Sequence, residues 1–124
     1  LVGPVRDGVG VTFALFDDNF AAHPKVVPLS DGAFRLHASA ILYSARHLTD
    51  GVVHKTLVRT LIPTYRASYV QELTKAGMWV KTSDGFRIHD YLEWNKSRET
   101  ILAERERKRE AGKRGAQRRW KNDD

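Results

Sequence analysis

Five histidines (His23, His37, His47, His54 and His89), the pair Asp17-Asp18, and Asp90 with Glu93 are the residues of this chain that could bind a metal or move a proton. Their spacing matches no ligand motif: His-Glu-x-x-His is absent, and no histidine pair falls at helical or knuckle spacing. Asp90 and Glu93 stand three apart, with no third ligand that the sequence brings to them. His23-Pro24 and His89-Asp90 read more simply as turn or capping features. Neither GxxxxGK[ST] nor GxGxxG occurs, and the GVG of Gly8–Gly10 is too short to cradle a phosphate. There is no cysteine, so disulfides, thiolate metal sites and side-chain redox chemistry are excluded. No enzyme activity, cofactor or metal is expected.

The chemistry that remains is recognition of a polyanion. Arg66, Ser68, Gln71 and Lys75 combine a forked cation, hydroxyl, amide and ammonium in one short stretch, a set suited to phosphate oxygens and base edges. Lys81, Thr82, Ser83 and Arg87 follow and suit the sugar-phosphate backbone. A polar helix face is the rule in any soluble protein, so the order of the elements that present these groups carries more weight than their types. Thr64 reads as the N-cap of a helix that buries Tyr69, Val70, Leu73 and Ala76 and stops at Gly77. Met78–Thr82 then alternates as a strand, Ser83-Asp84-Gly85 as a three-residue hairpin loop, and Phe86–His89 as the return strand. Helix followed by hairpin is the layout of a recognition helix with a wing. Trp79 reads as core beside Phe86, since a base-stacking platform needs several exposed aromatics. Tyr65 is either a phosphate donor at the groove edge or a cap on the core.

Upstream, Leu29-Ser30-Asp31 offers an N-cap for a first helix whose Phe34, Ala38, Ile41, Ala45 and Leu48 mark a buried face. Arg35 and Arg46 lie on its exposed side, where a phosphate contact and an ordinary solvated arginine are both open readings. Asp50-Gly51 ends that helix. Val52-Val53 reads as a lone strand that pairs with the wing, and HKTLVRTLI as a second helix stopped by Pro63. The expected fold is therefore mainly α with a small β-wing (α+β): a winged helix-turn-helix over residues 12–95, preceded by a leader over 1–11 and followed by a basic C-terminal helix or tail over 96–124. The 124 residues suffice for one such domain.

Charge divides the chain. Residues 1–95 hold 10 Lys+Arg against 9 Asp+Glu, whereas residues 96–124 hold 11 against 6, within a total of +6. Between residues 105 and 121 nine cations, Arg105, Arg107, Lys108, Arg109, Lys113, Arg114, Arg118, Arg119 and Lys121, face two acids. That density steers a polyanion and releases its counterions, while the alternative is a solvated tail. Gly112 and Gly115 predict fraying beyond Glu104. Residues 97–109 favour helix, with Ile101 and Leu102 as its apolar members. A dimer contact through Tyr91, Leu92, Trp94, Ile101 and Leu102 is a further reading beside packing onto the chain's own domain. No apolar run approaches the ~20 residues that span a bilayer, and the start LVGPVRDGVGV has no signal-peptide layout. The expectation is a cytoplasmic, nucleoid-associated protein without a membrane partner.

The stretch from FALFDDNF and HPKV through LTDG, the wing AGMWVKTSDGF, HDYLEWNKSRE and the basic AGKRGAQRRW resembles small proteins encoded in phages and prophages of actinobacteria, over roughly residues 12–121. These are usually described as helix-turn-helix or replication-initiation (replisome organiser) proteins. The resemblance implies a winged-helix domain, duplex DNA as partner, and a role in replication initiation or its control. It carries no catalytic motif. Organisers of this type often continue into a further domain that engages a helicase or its loader; this chain ends after the basic tail, so DNA binding is the part of that role expected of it. Transcriptional control of phage genes, or a protein-interaction module within a replication complex, are the alternatives. A homodimer and a replisome protein stand beside DNA as candidate partners.

Overall fold

The computed structural model describes residues 13–122. The leader assigned to residues 1–11 lies outside the described residues. Two compact units separate between Lys96 and Ser97. The first is mixed α+β, with helices α1 (Asp31–His47), α2 (Lys55–Val58), α3 (Ala67–Lys75) and α4 (Tyr91–Trp94) around strands β1 (Val52–His54), β2 (Trp79–Lys81) and β3 (Gly85–Ile88). The second is a single long helix, α5 (Arg98–Asn122).

Ser30 caps α1, its hydroxyl accepting from Ala33 N–H at 3.2 Å. The buried face of α1 differs from the expected one. Ala33, Leu36, His37, Ala40, Ile41, Ser44 and Ala45 are buried, whereas Phe34, Ala38 and Leu48 are only half-buried. Ile41 and Ala45 belong to both sets; the rest of the buried face includes His37 and Ser44, polar types that a pattern of apolar residues does not contain. The helix also stops earlier than Asp50-Gly51: Leu48 takes the left-handed conformation at φ 56, and its N–H returns to Ser44 C=O.

The second helix is one turn instead of nine residues. Thr56, Val58, Thr60 and Ile62 are β-branched, the Thr60 hydroxyl donates back to Leu57 C=O at 2.7 Å, and Pro63 follows, all of which weaken a continuing helix. What continues is a pair of hydrogen-bonded turns that still bury Val58 and Ile62. His54 caps this turn, its Nδ1 accepting from Thr56 N–H at 3.2 Å. The third helix begins at Ala67, not at Thr64, because Arg66 is extended (φ −136, ψ 142) and serves as an N-cap without a side-chain bond. Gly77 ends it at φ 76, as the sequence requires.

The strands form one antiparallel sheet in the order β1-β3-β2, with Val53 opposite Phe86 and Lys81 opposite Phe86 from the other side. The hairpin loop is shifted by one residue from Ser83–Gly85: Gly85 belongs to β3, and Thr82 N–H reaches its carbonyl at 2.9 Å. Gly85 does not adopt a positive φ. Its paired neighbour β1 leaves no room for a side chain: an added Cβ would lie 2.2 Å from the Val53 carbonyl oxygen. Gly85→Ala is therefore expected to destabilise the fold by about 1–3 kcal/mol through forced separation of β1 and β3. An unchanged thermal midpoint would show that the strands are not in this contact.

Trp79 at the start of β2 is the largest fully buried side chain and packs with Leu36, Val53, Val58, Leu73 and Ile88. Its indole N–H donates to His37 Nδ1 at 2.9 Å, tying β2 to α1. Glu72 ties α3 to the start of α1: its carboxylate accepts from Ser30 N–H at 2.8 Å and from the Ser30 hydroxyl at 2.6 Å. Asn95 holds the entering chain, accepting from Leu15 N–H at 2.8 Å and donating to Tyr91 C=O at 3.4 Å.

In α5, Ser97 Oγ accepts from Thr100 N–H at 3.2 Å and starts the helix. The expected fraying beyond Glu104 does not appear, since the helix runs unbroken through Gly112 and Gly115 to Asn122. Ala, Arg, Lys, Glu and Gln fill most positions around the glycines, and each glycine costs only about 1 kcal/mol.

Candidate nucleic-acid interface

The exposed side of α3 is built by periodicity. Ser68, Gln71 and Lys75 are all exposed and lie within one arc of the helix, opposite buried Val70 and Leu73. Arg66 is exposed as well, but it precedes the helix, so it flanks the face at its N-terminal end. Glu72, half-buried on the neighbouring side of α3, accepts from the N–H and hydroxyl of Ser30, so its carboxylate is directed towards the start of α1.

The wing residues divide. Alternation along β2 and the pairing of Lys81 with Phe86 put Lys81 at the outer edge of the sheet face that carries Trp79, Phe86 and Ile88, the face packed on the helices. Arg87 pairs with Val52 and Val80 on the opposite face, which is turned to solvent. Thr82 is half-buried, its hydroxyl accepting from Gly85 N–H at 3.1 Å, whereas Ser83 at the tip is exposed. Lys81 thus lies on the side of the sheet packed on the helices, Arg87 on the other, and Ser83 at the tip between the two strands. Lys55, not singled out from sequence, belongs to the same neighbourhood: its N–H donates to Asp84 C=O at 2.9 Å and joins the first residue of α2 to the hairpin tip. Its polar position beside a predicted strand end was the available signal.

The cations of the second unit occupy α5. Arg107, Lys108, Arg109, Lys113, Arg114, Arg118 and Arg119 are exposed and Arg105 is half-buried; the side chain of Lys121 lies outside the described residues. Helical periodicity distributes them over two sides. Arg98, Arg105, Lys108, Arg109, Lys113 and Arg119 fall in one arc, and Arg107, Arg114, Arg118 and the backbone position of Lys121 in the other.

The histidines are taken up by the fold. His23 Nδ1 accepts from Lys25 N–H at 3.1 Å, the His47 ring lies against Tyr43 with centroids 4.6 Å apart and the planes tilted by 41°, and His89 bonds Asp90. Burial pushes His37 down to about 4. Burial, with the Asp50 carboxylate second, raises the Tyr91 hydroxyl. Among the described residues no cluster of three His, Cys, Asp or Glu is placed to hold a metal, and no helix is long and apolar enough to cross a membrane. No protein-family model, curated protein or solved structure matches this chain.

Proposed function

We propose that this chain is a winged helix-turn-helix protein of phage or prophage type that binds duplex DNA sequence-selectively, without catalysis, in replication initiation or its control. The supporting observation is the order α1-β1-α2-α3-β2-β3 with sheet order β1-β3-β2, which leaves the Ser68-Gln71-Lys75 face of α3 exposed next to a hairpin carrying Lys81 and Ser83. A helix of this kind reads base edges in the major groove, and the hairpin meets phosphate beside it. The cations of α5 add attraction that does not depend on sequence. Selection of bound fragments from the source genome tests the reading. A single replication origin among the fragments supports the initiation role, promoters point to transcriptional control, and no enrichment over random DNA refutes sequence-selective binding.

Two substitutions test the placement of the interface. Gln71→Ala is expected to reduce binding to the selected site by about 1–3 kcal/mol while leaving thermal stability unchanged, because the residue is exposed and reads a base. Lys81→Ala is expected to weaken binding to all duplexes and lower the salt dependence, whereas Arg87→Ala, on the far face of the sheet, changes both much less. Equal losses at Lys81 and Arg87 in a titration at two salt concentrations would mean that the wing meets DNA along its edge.

A further inference from the structure

One surface of the first unit has the opposite character to the proposed interface. A groove of about 300 Å³ opens between the segment around Leu15–Phe20, the middle of α1 and α4. Its walls are apolar and partly open to solvent: Trp94 is 53 % exposed, Leu15 54 % and Phe16 40 %. Asp17, Asp90 and Glu93 also line it, against Lys25 as the lysine. It is an acidic, aromatic groove on a chain whose net charge is +6. A cavity of this size takes one large side chain, and an aromatic anchor in a pocket with charged neighbours at its edge is a usual way for a small contact to hold.

Helix α5 carries a side chain of that kind. Trp120 is 79 % exposed, and Lys113, two turns earlier, shares its face with Ala116 between them. Gly112 and Gly115 leave bare backbone surface on the same stretch, since nothing approaches within 4 Å of where their Cβ atoms would be. We propose that the groove receives α5 of a second copy of this chain, with Trp120 as the anchor and Lys113 set against Glu93. Charge complementarity selects this occupant: α5 holds ten Lys or Arg and four Glu, and the groove it would enter is lined by three carboxylates and one lysine. Asp90 already bonds His89 and Asp17 accepts from Asn19 N–H at 2.8 Å, so Glu93 is the carboxylate against which the incoming lysine is set, and a neutral or acidic helix would bring it no opposite charge. Each copy offers one groove and one α5, and the proposal takes the two contacts to be exchanged about a two-fold axis, which closes the assembly as a dimer.

The test uses the full chain without DNA, by sedimentation equilibrium over a range of concentrations. The weight-average mass is expected to rise from 14.1 kDa towards twice that value. Trp120→Ala and Glu93→Lys are each expected to shift the midpoint of that rise at least tenfold to higher concentration, with unchanged far-ultraviolet dichroism. Lys113→Glu is expected to do the same, and the double variant Glu93→Lys with Lys113→Glu to restore association. A chain that stays at 14.1 kDa throughout, or a dimer that none of the single variants weakens, overturns the proposal. Failure of the charge swap to restore what both single changes remove also overturns the assigned pairing.

Discussion

Deleting residues 105–124 is expected to lower affinity for duplex DNA of any sequence by about two orders of magnitude or more at low salt, with the ratio of specific to non-specific binding changing far less. The size follows from the shape of α5. Nine cations on a flexible chain could each find a phosphate, but α5 is one continuous helix with its cations on two sides. A helix of 25 residues is about 37 Å long, and a duplex lying along one side meets roughly four or five of those charges at once. Each neutralised phosphate contributes about −0.9 to the slope of log affinity against log salt, so truncation should flatten that slope by about four to five. Titrations at three salt concentrations measure it. A slope change of about eight would mean that the helix melts or bends to use all its cations on contact. No change in affinity at all would assign α5 to contacts with protein. Because the first unit has its own core from Ala33 to Tyr91, its thermal transition should survive the deletion.

Local signals carried most of the element order. An N-cap within Leu29-Ser30-Asp31, Gly77 as helix stop, the lone strand Val52-Val53 pairing with the hairpin, and Trp79 as core all follow from residue types with strong conformational preferences. The misplacements have a common origin in tertiary context. Thr64 has the right chemistry for a cap, yet the chain stays extended through Arg66 before α3 begins. Gly85 has the type of a turn glycine, but it stands in β3 paired with β1, where the Val53 carbonyl would meet an added Cβ at 2.2 Å. Glu72 has the residue type of any polar position on α3, and its partner is Ser30, 42 residues earlier, which bonds both its oxygens. Local propensity does not contain that partner.

The candidate interface shows the same division. Ser68, Gln71 and Lys75 share a face because helical period fixes it, so their grouping was legible. Which side of the sheet faces the helices depends on the register Lys81↔Phe86 and on the burial of Trp79, and that separation of Lys81 from Arg87 needed the folded structure. The continuity of α5 is a third case. Two glycines within four residues predict a break, but the residues around them are mostly strong helix formers, and the summed preference prevails.

The protein is expected to lose about 3 kcal/mol of stability between pH 7 and pH 4 through His37 alone. This histidine is 4 % exposed, and its Nδ1 accepts the Trp79 indole N–H, a group that can only donate. Nδ1 must therefore keep its lone pair, and the Phe20 ring stacked at 5.5 Å and 17° adds apolar cover. Burial lowers the folded pKa to about 4 from 6.5. The unfolded chain thus binds the proton more readily than the folded one. The neutral ring's contribution is fully present above about pH 6.5 and is lost progressively as pH falls towards 4, reaching about 3 kcal/mol there. His37→Gln separates this effect from the titration of surface carboxylates, because its side-chain carbonyl can still accept from Trp79 but does not ionise. Denaturant midpoints measured at pH 7, 6, 5 and 4 should converge or cross as the wild type loses stability faster than the variant. Parallel curves would mean that His37 is hydrated, that its proton costs the fold nothing, and that Trp79 is held by packing alone.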